Sequence, residues 1–346
     1  MRRRSLMAGP VMLFLLLTSE GAFAETLQGA VAAPQGAPSE APPQGGATTA
    51  PPPASQPLSK APPYSLPWQL RPVTAGTVIR SDSSFAGYED AGSHPGTTSV
   101  TTLLASYKIP GTGGVGSGLA PMLRLGFVND SPPAGAGGLT FMNPLVGATY
   151  ALKLPEGFRI SFFFAVTVPI GGGGGDTPAP GNANSRAKGI FARASMDNAM
   201  FAVNDFTLIP GLDLAYVGHG FTFQAEVTLL ELLRVRGDKV QAEASKTNLT
   251  TGVHLGYFFT DTLSFGADLR YQLWLSAPAA VEKLRASTND AVMDNASVAV
   301  GPRVHIKVGE ASWIRPGLSY GRGLDKPTGL AGSNYQFVQL DVPFQF

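Results

Sequence analysis

Apolar and polar side chains alternate, place by place, in stretches of ten residues or more along most of the chain after Trp68. In 263–275, Leu263, Phe265, Ala267, Leu269, Tyr271 and Leu273 oppose Ser264, Gly266, Asp268, Arg270 and Gln272. In 158–170, Phe158, Ile160, Phe162, Phe164, Val166 and Val168 oppose Arg159, Ser161 and Thr167. The same holds in 205–217, where Leu208, Leu212, Leu214 and Tyr216 face Thr207, Gly211 and Asp213. In 295–308, Val298, Val300, Val304 and Ile306 face Ser297, Gly301, Arg303, His305 and Lys307. A period of two is the signature of a strand with two unlike faces. A one-residue slip would exchange those faces, so the register is well specified.

Alternation alone does not say which face meets water, because a soluble antiparallel sheet alternates too. The connections do. Reading strands near 72–86, 98–110, 118–129, 140–153, 158–170, 205–217, 221–236, 247–259, 263–275, 295–308, 312–323 and 334–346 gives about twelve, an even number. Every second connection is short: 111–117, 154–157, 218–220, 260–262 and 309–311. The others, 87–97, 130–139, 171–204, 237–246, 276–294 and 324–333, are longer. A soluble sandwich has no reason to sort its loops by parity, whereas a membrane barrel has tight turns at one end and long loops at the other. The expected fold is therefore all-β: a transmembrane antiparallel up-and-down β-barrel with apolar faces outward and both chain ends on the short-turn side.

Composition agrees. Charged residues make up 14% of the chain, against roughly 25% in ordinary soluble domains, while Gly (42) and Phe (20) are abundant. With no cysteine, disulfides, thiolate metal sites and a cysteine nucleophile are excluded. A net charge of +1 gives no reason to expect a nucleic-acid partner. No motif calls for a cofactor or metal.

The first residues, Met1-Arg2-Arg3-Arg4, the apolar run Val11–Leu17 and Ala22-Phe23-Ala24 read as a secretory signal peptide cut after Ala24. Residues 25–66 are almost entirely Ala, Pro, Gln, Gly, Ser and Thr. They are expected to form a disordered periplasmic linker, either a plain spacer or an arm that touches peptidoglycan. The barrel would then occupy 67–346. Trp68, Tyr107, Tyr150, Tyr216, Tyr257, Trp313 and Tyr320 fall near strand ends and suit interfacial aromatic girdles. Leu229-Leu230-Glu231-Leu232-Leu233-Arg234 breaks the alternation, which points to a bulge or an exit from the membrane.

Counting back from Phe346, Phe344, Val342, Leu340 and Val338 recur at every second place. This row resembles the C-terminal insertion signal of bacterial outer-membrane barrels, which the barrel-assembly machinery recognises. Over residues 67–346 the chain resembles the small channel-type outer-membrane barrels grouped as transporters. The segments Asn143–Ala148 and Pro210–Leu214 add to the likeness. The resemblance implies an outer-membrane location, contact with lipid and passage of small solutes.

The inward parity collects Arg124, Arg159, Arg270, Arg303, Lys307 and Arg315, with Asp213, Glu226, Asp268 and Asp341 against them. One reading is a polar lumen with a cationic bias, favouring anionic or neutral polar solutes. The other is a mutually neutralising ladder that fills a narrow barrel. His254 and His305 also point inward. They are expected to be hydrogen-bonded lumen residues, since no spacing marks a triad with Ser264, Ser297 or Asn248. Residues 187–202 have helical propensity within the longest connection. That connection either folds inward to narrow the pore or stays a mobile outer loop. Gly111–Gly116 matches a dinucleotide fingerprint by letters only, because a strand follows it where a helix is needed. The leading functional expectation is a passive or weakly selective channel for small solutes, anionic or aromatic among them. The rivals are a lipase- or esterase-like outer-membrane enzyme and an anchoring barrel with a plugged lumen.

Overall fold

The alternating stretches pair with one another until the last meets the first. In the computed structural model, which describes residues 64–89, 94–194, 196–237, 245–276, 283, 286, 294–324 and 335–346, the strands are β1 (Val78–Glu89), β2 (Pro95–Ser106), β3 (Gly118–Ser131), β4 (Gly138–Phe141), β5 (Leu145–Lys153), β6 (Phe158–Thr167), β7 (Asp205–Gly218), β8 (Phe221–Arg234), β9 (Ser245–Thr260), β10 (Leu263–Trp274), β11 (Asn295–Val304), β12 (Ile306–Lys307), β13 (Trp313–Ile314), β14 (Gly317–Gly323) and β15 (Gln336–Gln345). Each wall strand pairs antiparallel with the next. β1 pairs with β15 from Val78↔Gln345 to Gly87↔Gln336, which closes a 12-stranded barrel. Closure leaves no open edge, so every interior ladder position has a partner in a medium without water. The expected signal peptide and the linker up to residue 63 lie outside the described residues.

Pleating sends alternate side chains to opposite sides of the wall. Phe162, Phe164, Leu212, Leu214, Leu255, Leu269 and Leu340 are exposed on the outside, while Ser161, Asp213, Asp268, Arg270 and Asp341 are buried inside. A continuous belt of exposed Phe, Leu and Val is a surface for lipid rather than water. Aromatic rings gather near the end of the wall that carries Val78 and Gln345. Phe158 meets Tyr216, and Phe221 meets Tyr257, with ring centroids 5.3 and 4.6 Å apart.

Tight turns at that end follow from local chemistry. His219 (φ 53°) and Gly220 (φ 80°) both take the left-handed conformation that a two-residue hairpin demands. The parity of the loops holds with one exception. The connection 107–117 at this end is longer than 90–94 at the other, and it extends the ladder through Tyr107 and Ile109, which donate to Pro121 and Leu119 carbonyls.

Three sequence expectations need correction. The first strand starts at Val78, not 72; residues 64–74 run inside the barrel, and the chain rejoins the wall through Ala75, whose N–H donates to Gly116 carbonyl, and Thr77, whose carbonyl accepts from Phe346 N–H. Trp68 is buried inside the barrel (2% exposed), not at a lipid interface. Leu229–Arg234 forms neither a bulge nor an exit. β8 keeps its register with β9 from Phe221↔Tyr257 to Leu233↔Ser245, and Leu230 and Leu232 point inward. Those inward leucines meet an apolar filling, so both faces of the strand are hydrophobic there.

The fourth wall strand is interrupted. β4 pairs with the far half of β3 (Phe127↔Phe141) and β5 with the near half (Arg124↔Leu145). Between them the pairing with β3 slips by one residue: Met142 N–H still donates to Gly126 carbonyl and Pro144 carbonyl accepts from Val168 N–H, while Asn143 turns its N–H out of the ladder to Met200, a break that suits a proline in a central strand.

Candidate functional site

Two segments enter the barrel, one from each end. From the short-turn end, residues 64–77 run up inside the wall and back down to β1. Two prolines in this stretch, Pro67 and Pro72, work against a regular ladder, and the main chain bonds to inward side chains instead. Trp68 and Gln69 N–H both donate to Asp268 Oδ2, at 2.9 and 2.7 Å. Arg71 N–H donates to Glu226 Oε2 at 2.7 Å, and Ser65 N–H to Thr222 at 2.9 Å. Gln224 Nε2 returns a bond to Arg71 carbonyl at 2.5 Å. The Trp68 indole N–H finds Gly266 carbonyl at 3.2 Å, and its ring lies under the Arg303 guanidinium, 4.3 Å away. Hydrogen bonds to ionised acceptors contribute about 1.5–3 kcal/mol each. These bonds seat a segment that buries Tyr64, Ser65 and Leu70 as well as Trp68. Tyr64, Ser65 and Leu66, which the sequence reading placed at the end of the linker, lie within the barrel.

From the long-loop end, the connection 168–204 folds inward with α1 (Pro180–Ala192) and the short α2 (Asn198–Phe201). Of the two alternatives left open by the sequence, this is the inward one. Gly173 (φ 76°) makes the sharp turn, and a Cβ there would press on Asn182 carbonyl at 2.7 Å. Asn143, in the break between β4 and β5, clamps the loop. Its N–H donates to Met200 carbonyl (2.9 Å), its Nδ2 to Ala202 carbonyl (2.9 Å), and its Oδ1 accepts from Gly171 N–H (2.9 Å). Met142, Met200, Phe201, Leu230 and Leu232 pack into one buried apolar cluster.

Below this cluster, charges lock the insert to the wall. Arg193, 2% exposed, reaches Asp82 at 2.9 Å and Asp197 at 2.7 Å. Arg124 reaches Asp197 at 2.6 Å. Burial pushes the Asp197 carboxyl up, but Arg124 and then Arg193 outweigh it and hold it down at about 2. Burial likewise opposes the Arg193 charge, and Asp82 and Asp197 overcome it, raising it above the ordinary arginine range.

Between the inserts lies a cavity of 190 Å³. Its lining extends from Val78, Ser106 and Gln345 at the short-turn end to Arg270 and Met200 beneath the outer insert. Around it, the ion pairs are nearly self-neutralising. Arg71 binds Asp213 and Glu226 at 3.1 and 3.2 Å. Arg80 and Arg303 share Asp341, each at 2.6 Å. With Arg124 and Arg193 on Asp82 and Asp197, every one of these cations is matched. Arg159, Arg270 and Arg315 have no carboxylate at ion-pair distance among the described residues. Arg159 lies over the Tyr64 ring at 4.8 Å, and Arg315 near Trp313 at 5.7 Å.

The histidines form two separate pairs. His254 Nδ1 lies 2.6 Å from Asp268 Oδ1, and Ser264 Oγ lies 2.8 Å from His305 Nε2. All four residues are almost fully buried. The serine and the carboxylate thus belong to different histidines, and no Ser-His-Asp chain is assembled here.

Of the residues read from sequence as lining the lumen, Arg124, Arg159, Asp213, Glu226, Asp268, Arg270, Arg303, His305 and Arg315 point inward, though only Arg124, Glu226, Arg270 and Arg315 border the cavity. Lys307 does not line it. It is exposed in the β12–β13 hairpin at the short-turn rim, at the end of the wall ladder that β13 continues with β15. Val338, Leu340, Val342, Phe344 and Phe346 form an outward row along β15 and just beyond it. Sequence reasoning missed Arg71, Arg80, Asp82, Asn143, Arg193 and Asp197. Alternation in β1 would have placed Arg80 and Asp82 inside, and Asn-Pro within a strand marks Asn143. Nothing in the sequence pairs Arg193 with β1.

No family model matches the sequence, and no curated protein matches it. Among solved structures the chain is similar to an outer-membrane channel from Pseudomonas putida F1 (13% identity, TM-score 0.48, covering 82% of this chain and 97% of that one). It is also similar to the KdgM porin (11%, 0.41, 78% and 99%) and to an anion-selective porin from Comamonas acidovorans (8%, 0.33, 78% and 96%). The barrel described above rests on its own strand register.

Proposed function

We propose that this protein is a channel of the bacterial outer membrane that passes small solutes by weakly selective diffusion, with its conductance set by the two lumen inserts. The observation that carries this reading is the cavity itself: a charged, inward-facing chamber within a lipid-facing wall, narrowed by segments held through side-chain bonds rather than sheet pairing. A barrel that served only as a solid post would gain nothing from burying Arg270 without a counter-charge, because an unpaired buried charge is costly. The cationic surplus favours anions. The outward row ending at Phe346 fits an assembly signal read by the barrel-assembly machinery, and the Pro-rich segment ahead of Tyr64 fits a periplasmic spacer.

Single-channel recording in planar bilayers tests this. The wild type is expected to give small anion-selective currents in a KCl gradient, and a variant with residues 64–76 replaced by a Gly/Ser linker is expected to give larger ones. No current from either would overturn the channel. It would favour the second reading, an anchoring barrel, which the filling of the lumen from both ends specifically supports.

A further inference from the structure

We infer that the cavity contains a binding subsite for a monoanionic carboxylate with an apolar body, and that Arg270 holds the carboxylate. The inference rests on the channel reading and names the solute class for the same chamber.

Arg270 projects inward from β10 and is 5% exposed. Its one hydrogen bond runs from an Nη2 proton to Met196 carbonyl at 3.0 Å. Nε and Nη1 are buried with no partner among the described residues. Of the arginines that border the cavity, Arg71, Arg80, Arg124 and Arg193 have carboxylates within 3.2 Å; among the described residues Arg270 and Arg315 have none, and Arg270 is the more deeply buried of the two. A guanidinium is permanently charged and presents its N–H groups as a planar fork that matches a carboxylate. A buried fork with unused donors, bordering a cavity, has the chemistry to hold one such group.

The surroundings define the rest of the ligand. Leu70, Phe163, Met196 and Met200 border the same cavity, so a body placed against them would be aliphatic or aromatic. Glu226 and Asp197 border it as well, and they would repel a second negative charge. A single carboxylate therefore fits better than a phosphate dianion. Two methionines make an adaptable wall that tolerates several body shapes. Both inserts contribute, Leu70 from one and Met196 and Met200 from the other, so the subsite exists only when both are seated.

The test uses the full-length protein in detergent, with tryptophan fluorescence as the readout, since Trp68 borders the cavity. The probes are benzoate, acetate, benzamide and phenyl phosphate. Benzoate is expected to bind most tightly, with acetate, benzamide and phenyl phosphate each weaker. Arg270→Gln should weaken benzoate about tenfold or more, and Arg270→Lys should restore part of the loss. Leu70→Ala and Met196→Ala should erase the preference for benzoate over acetate while keeping acetate binding. These two keep the test decisive if Arg270→Gln does not fold. Equal binding of benzoate by wild type and Arg270→Gln, or no preference among the probes, overturns the subsite. Currents from a wild type that shows no preference would defeat this inference and leave the channel standing. Selective benzoate binding by a protein that passes no current would do the reverse.

Discussion

Asp197 shows how single residues hold the outer insert. Its carboxylate lies between Arg124 and Arg193, at 2.6 and 2.7 Å, and is held at about 2 against about 3.9 in an unfolded chain. A depressed carboxylate contributes stability that is complete above the unfolded value and lost as pH falls through the folded one. That contribution is about 2 kcal/mol at neutral pH and should vanish between about pH 4 and pH 2. Protease sensitivity of 168–204 in bilayer-embedded protein should therefore rise over that window and stay flat between pH 5 and 8. Asp197→Asn should show the acid behaviour at pH 7. A rise centred above pH 5, or a silent Asp197→Asn, would refute the lock. The inner insert has a comparable point of control at Gly256, where an added Cβ would run into the Ser65 side chain. Gly256→Ala should displace residues 64–66 and raise conductance while leaving the heat-modifiable gel shift of the folded barrel unchanged.

At the scale of elements, the two inserts are seated differently. Residues 64–77 contribute backbone donors to acidic wall residues, while 168–204 combines an apolar cluster with ion pairs. The second should be the harder to remove. The chain has no cysteine of its own, so a pair introduced at Asn198 and Gln272, whose side chains are bonded at 2.9 Å, can be joined cleanly by a short thiol crosslinker. Joining should leave wild-type current levels intact but abolish large openings in acid, and a cleavable linker should restore them on reduction. Openings unaffected by the crosslink would show that 168–204 is not the moving part. The same filling explains why β8 read poorly from sequence. An inward leucine looks like an error in a barrel strand until the loop that covers it is known.

For the whole molecule, the governing condition is that lipid solvates the outer face. Leu269 is 47% exposed there, near the middle of β10, and a charge at such a depth costs about 2–4 kcal/mol. Leu269→Arg should fold poorly into lipid vesicles, as seen by loss of the heat-modifiable band. Ser297→Arg, pointing inward beside Gln69, should leave the wall intact and disturb only the insert. If the two behaved alike, the assignment of inside and outside would be wrong.

What the sequence determined alone is whatever repeats locally: strand alternation, the even strand count, the sorting of most turns by length, and which wall side chains face inward. Each of these follows from a period of two and the stereochemistry of short turns, which are legible within a dozen residues. Only the tertiary structure decided how the lumen is filled. Trp68 and Arg71 meet Asp268 and Glu226 across more than 150 positions of sequence, and Arg193 meets Asp82 across more than 100. Contacts at that separation are set by barrel closure and by which segments fit inside. Those are properties of enclosed volume and matched charge, and a one-dimensional pattern does not carry them.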